Sequence, residues 1–76
     1  MNPRVKNVTP NENFRLTIEF TNGEKKIFNM TPYLKFGVFK ELNNFSYFKR
    51  VKPFMGTISW PHGQDICPDT LYIESN

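Results

Sequence analysis

Phe14, Leu16, Ile18 and Phe20 alternate with Arg15, Thr17 and Glu19, and Asn22-Gly23 follows at once. In extended backbone successive side chains point to opposite faces, so this alternation gathers the apolar residues on one face of a strand. Asn-Gly suits a tight hairpin because both residues tolerate positive φ. Together the two signals predict a β-hairpin over about residues 14–30, and hence an antiparallel sheet with one buried face. Two registers compete. A two-residue loop sets Glu19 opposite Lys26 and Ile18 opposite Ile27. A three-residue loop, with Gly23 left-handed in a bulge, sets Leu16 opposite Phe28, Phe14 opposite Met30 and Glu19 opposite Lys25. The second matches apolar with apolar and acid with base, and is the register expected.

The rest of the chain supplies short elements. Val5 and Val8 predict a strand near residues 4–8, ended by Thr9-Pro10-Asn11 as a turn. Thr31-Pro32 reads as a helix start, with Thr31 as N-cap and Pro32 in the first turn, giving a helical segment near 32–36 that Gly37 ends. Val38, Phe39, Leu42 and Phe45 recur at helical spacing and predict a second segment near 38–43 that buries one face, with Asn43-Asn44 breaking or capping it. Strands are expected near 50–54 and 56–60, and a last helical turn near 68–73, opened by Pro68 and packed through Leu71 and Tyr72. The fold class is α+β: a small antiparallel sheet covered on one face by short helical segments.

Composition supports this and limits its size. Seventy-six residues make one domain, residues 1–76, since domains usually run to about 100–150. A chain this short hides only about 60% of its unfolded surface. Twelve aromatics, eight of them Phe, supply a dense core. Alanine, the best helix former, is absent, which disfavours a helical bundle. Cys67 is the only cysteine, so no internal disulfide exists. The first residues lack the apolar stretch of a signal peptide, and no run approaches the roughly 20 residues of a membrane span. A cytoplasmic location is expected.

Charge is unevenly spread. Residues 1–52 hold all ten Lys and Arg against four Glu, a balance of +6, whereas residues 53–76 hold three acids and no base, −3. The interleaved stretch Tyr47-Phe48-Lys49-Arg50-Val51-Lys52 has the pattern of a single-strand-binding groove. With Lys25 and Lys26 it defines a candidate basic patch: Lys25, Lys26, Lys49, Arg50 and Lys52. Phe48 and Val51 are assigned to the core and the bases to a solvated face, so nucleic acid is the second choice of ligand. The helical segments are too short to cross a major groove.

Catalytic patterns are sparse. His62 and Cys67 form a Cys-His combination without a third orienting group, and a buried or half-buried structural Cys67 is the better reading. His62, Asp65, Cys67 and Asp69 lie within eight residues, but not at the paired, repeated spacing of structural zinc sites. The four glycines are too widely separated for a phosphate loop. No enzyme activity, cofactor or metal is expected. Asp65 is assigned to capping the turn after Pro61.

Several segments then fall in one order: Val5 and Val8, Leu16 to Phe20, Asn22-Gly23, Asn29-Met30-Thr31-Pro32-Tyr33-Leu34, Phe39-Lys40-Glu41-Leu42, Phe48-Lys49-Arg50-Val51, Thr57-Ile58-Ser59-Trp60-Pro61-His62-Gly63-Gln64-Asp65-Ile66 and Pro68-Asp69-Thr70-Leu71-Tyr72. Over almost its whole length the chain resembles the DUF2442 family of small bacterial proteins of unknown function. Trp60-Pro61 with Gly63 and Asp65, followed by Pro68 and Leu71-Tyr72, is the most specific part. Asn29 stands where the family commonly has Asp, and His62 where it has Asn. The resemblance implies kinship with the N-terminal domain of a two-domain protein whose second domain is helix-turn-helix, a part this sequence lacks. It also implies that stand-alone members are often encoded beside another small protein, in suggested toxin–antitoxin pairs. A non-enzymatic module that binds another protein is therefore expected. The block itself is read first as a folding motif, with Trp60 ending a strand and Leu71 and Tyr72 folding back on the sheet, and second as a recognition surface of Trp60, His62, Asp65 and Tyr72.

Overall fold

The computed structural model describes residues 2–76, with extents of 31 × 21 × 18 Å. The alternating run forms β2 (Arg15–Phe20), flanked by β1 (Val5–Asn11) and β3 (Lys25–Asn29) in one antiparallel sheet of order β1-β2-β3. The hairpin has the three-residue register: Leu16 faces Phe28 and Glu19 faces Lys25. Gly23 is left-handed at φ 91, and the loop closes through Phe20 N–H to the Glu24 carbonyl at 2.8 Å. Met30 N–H reaches the Phe14 carbonyl at 3.0 Å, as that register requires. Phe14 itself is not strand. It ends a 3-10 turn over Glu12–Phe14 that carries the chain from β1 into β2.

Three local expectations are corrected. Thr9-Pro10-Asn11 is no turn but the second half of β1, where Pro10 faces Leu16; an edge strand tolerates its missing N–H. The sheet is not single. Lys52–Phe54 (β4) and Thr57–Ser59 (β5) pair separately as a second, two-stranded sheet. It abuts the first where Val5 N–H donates to the Gly56 carbonyl at 3.0 Å. Thr31 is not an N-cap either: Met30 precedes the 3-10 turn Thr31–Tyr33, and the Asn29 side-chain oxygen accepts from Thr31 N–H at 3.0 Å.

The helical segments are short and mostly 3-10. Gly37, at φ 40, opens a stretch over Gly37–Asn43 rather than only ending the previous one. Leu42 is its one buried residue, and Val38, expected inside, is 68% exposed. With three residues per turn instead of 3.6, the apolar residues no longer share one face. Asn44 caps α1 (Phe45–Phe48), its side chain accepting from Ser46 N–H at 3.1 Å. The last helix, α2 (Pro68–Glu74), begins at Pro68 and buries Leu71.

All of these segments pack through one core. Leu16, Ile18, Phe20, Phe28 and Met30 come from the hairpin, Leu42 and Phe48 from the helical segments, and Ile58, Trp60 and Leu71 from the second half. Burying each such side chain contributes about 1.5–3 kcal/mol. On the outer edge of β3, Ile27 and Asn76 exchange two backbone hydrogen bonds of 2.8 and 2.9 Å. Among the described residues no helix is long and apolar enough to cross a membrane.

Candidate functional site

Pro61 ends β5 and Gly63, at φ 93, reverses the chain, so Trp60–Asp65 folds back on itself. Gly63 N–H donates to the Trp60 carbonyl at 2.9 Å, Trp60 N–H donates to the Gln64 carbonyl at 3.0 Å, and Ser59 bridges Asp65. Backbone bonds thus close the turn, and the Asp65 carboxylate, expected to cap it, stands exposed. Trp60 is 1% exposed, its ring near Phe48 and its indole N–H donated to the Phe48 carbonyl at 2.9 Å. It therefore cannot touch a partner: the folding reading of Trp60 holds and the recognition reading does not, because a large ring with one donor is best satisfied inside, here on a carbonyl that also accepts Val51 N–H at 3.3 Å.

Beside it lies a closed polar circuit. Tyr47 donates its hydroxyl to Gln64 Oε1 at 2.7 Å and accepts His62 N–H at 2.8 Å. Gln64, only 5% exposed, donates Nε2 to the Val38 carbonyl at 3.2 Å and to Glu41 Oε1 at 2.8 Å. Its buried amide is thus satisfied on both sides. Glu41 Oε2 meets His62 Nδ1 at 2.7 Å, and the imidazole tilts over the Tyr47 ring at 5.1 Å between centroids. The His62 hydrogen bond, then that of Gln64, holds the Glu41 carboxyl below its ordinary value. The circuit latches the Trp60–Asp65 turn onto residues 38–47 and fixes the exposed His62 ring. Gln64, Glu41 and Tyr47 were missed by the sequence reading. No periodicity marks them, because their partners lie 17 and 23 residues away.

The other candidates are held elsewhere. Tyr72 packs edge-on against Phe20 at 5.0 Å and donates to Glu24 Oε1 at 2.5 Å, while Lys26 Nζ lies 3.7 Å from its ring centroid. Its partners are all on the β2–β3 hairpin and those of His62 on residues 41–47, so the four candidates do not form one surface. Cys67, expected buried, is exposed at the start of α2, where backbone N–H groups of Thr70 and then Asp69 lower its thiol pKa. Among the described residues, no three His, Cys, Asp or Glu side chains are grouped to hold a metal ion.

The residues of the turn and its latch fall inside a family match. A model of a protein family of unknown function, DUF2442, matches residues 5–76. The chain belongs to the DUF2442 family. No curated protein and no solved structure matches it. In this DUF2442 chain the candidate basic patch is divided. Lys25 and Lys26 lie on β3, at one edge of the three-stranded sheet. Lys49 and Arg50 lie on the turn into β4 and Lys52 is its first residue, and β4 packs on β1 at the opposite edge. Lys26 is already engaged with Tyr72, and Lys49 Nζ stands 5.7 Å from the Phe45 ring centroid.

Proposed function

We propose that this DUF2442 protein is a non-enzymatic protein-binding module of the cytoplasm, the antitoxin-like partner of a small protein encoded beside it. One observation supports the reading: Phe36 and Val38 are 57% and 68% exposed on the segment that the Gln64 latch anchors, next to the fixed His62–Glu41 pair. Apolar side chains held in the open beside a rigid polar pair have the make-up of an interface centre with its rim. Of the residues expected to recognise a partner, His62 belongs to this face and Trp60 supports it from inside.

The test is co-expression with the product of the adjacent gene, followed by calorimetric titration. Val38→Asp should weaken binding at least about tenfold, or 1.4 kcal/mol, while leaving the circular dichroism spectrum unchanged. Absence of a complex, or wild-type affinity in Val38→Asp, overturns the proposal. A second reading takes the exposed Lys49, Arg50 and Lys52 as a contact for single-stranded nucleic acid. It requires binding at low salt that falls steeply towards physiological salt.

A further inference from the structure

Among the described residues three non-glycines have left-handed backbone: Asn13 (φ 64), Phe14 (φ 58) and Met55 (φ 49). A Cβ makes that conformation costly, and of the three side chains only asparagine adopts it with any frequency. Both apolar outliers border open apolar surface. Met55 leads the two-residue turn between β4 and β5, where Asn or Gly would be at ease. It is 82% exposed, with Phe54 beside it at 49%. Phe14 lines a shallow, open groove of about 390 Å³ together with Glu12, Asn13 and Phe45. Its ring stands perpendicular to that of Phe45, centroids 5.8 Å apart, so the two rings form a corner.

The protruding tip and the open corner have matching chemistry. A methionine is unbranched, fits irregular apolar space and makes favourable sulfur contacts with ring edges. Glu12 puts an acid on the rim of the groove. Bases flank the tip: Lys52 is exposed at the start of β4, and the Arg4 side chain lies against Gly56. Within one chain they cannot meet. Val5 N–H to the Gly56 carbonyl fixes the tip at the first residue of β1, and the groove follows its last. The strand between them spans roughly 20 Å.

We infer that the Phe54–Met55 tip of one copy seats in the Phe14–Phe45 groove of a second copy of this chain. The contact joins unlike surfaces, so each copy offers one tip and one groove. It does not involve the Phe36–Val38 face, and its failure leaves the proposed partner binding untouched. Sedimentation equilibrium over a concentration series tests it. Wild type should self-associate, and Met55→Asp at the tip and Glu12→Lys at the rim should each weaken association at least about tenfold. Both positions are exposed, and unchanged circular dichroism will show that the fold is kept. A mixture of the two variants retains one intact tip and one intact groove, and should form a one-to-one dimer that neither forms alone. Wild type that stays monomeric up to its solubility limit overturns the inference. So do variants that associate like wild type, or a mixture that stays monomeric.

Discussion

At the scale of single residues, the 60–65 turn is held by groups that individually look unremarkable in sequence. Trp60 and Gln64 are both interior, and between them they bind the Phe48 carbonyl, Tyr47, Val38 and Glu41. Glu41 links this latch to pH. Its folded carboxyl titrates below its ordinary value, chiefly through His62 and then Gln64. Its ionised form therefore stabilises the folded chain above the ordinary carboxylate range, and that contribution is lost as pH falls through the lowered value. Glu41→Gln removes the titration. Urea midpoints measured between about pH 6 and pH 3 should fall less for the variant than for wild type. Part of the acid slope persists, because Tyr72 and Asn22 lower Glu24 in the same sense. Parallel curves for the two proteins would show that Glu41 titrates no differently after folding. The sequence points to His62 through its setting after Trp60-Pro61, but not to the residues that hold it. Those lie on another segment, and only folding brings them within hydrogen-bond reach.

At the scale of elements, the two hairpins contrast. In β2–β3 the loop residue with φ 91 is Gly23, so local sequence and local geometry agree. In β4–β5 the two turn residues are Met55 and Gly56, at φ 49 and 86, and the first lacks the freedom the turn demands. Met55→Asn should raise stability by about 1 kcal/mol, since the left-handed penalty for an ordinary side chain is roughly 1–2 kcal/mol. Equilibrium urea unfolding measures it, and an unchanged or lower midpoint would mean that Met55 carries no strain. The same substitution should weaken self-association, which separates the cost of this residue from its use. Gly56 is already the residue its turn requires, because at φ 86 any side chain is strained whatever the space around it. The helical segments were legible in position but not in type. Short stretches broken by Gly37 and opened by Pro32 close 3-10 bonds, and the shorter period turned Val38 outward.

At the scale of the whole molecule, two small sheets and a handful of turns share one core, and the last described residues complete it. Ser75 is 6% exposed and donates its hydroxyl to the Leu71 carbonyl, and Asn76 pairs with Ile27 on the open edge of β3. Removing Ser75 and Asn76 should speed exchange of the Ile27 amide while leaving the Leu16 and Phe28 amides protected, as followed by amide hydrogen exchange. Equal protection of Ile27 in both forms would show that the pair closes only weakly. Local pattern was sufficient wherever neighbours in sequence are also neighbours in space. The period-two run and Asn22-Gly23 determined the first hairpin and its register, and Pro68 with Leu71 determined the last helix. Tertiary structure alone decided that the strands divide into two sheets, that Tyr72 and His62 belong to different surfaces, and that the bases split between opposite edges. Those outcomes depend on which long-range partners compete for a limited interior. That competition is settled by packing and hydrogen-bond satisfaction across the whole chain, which no local pattern encodes.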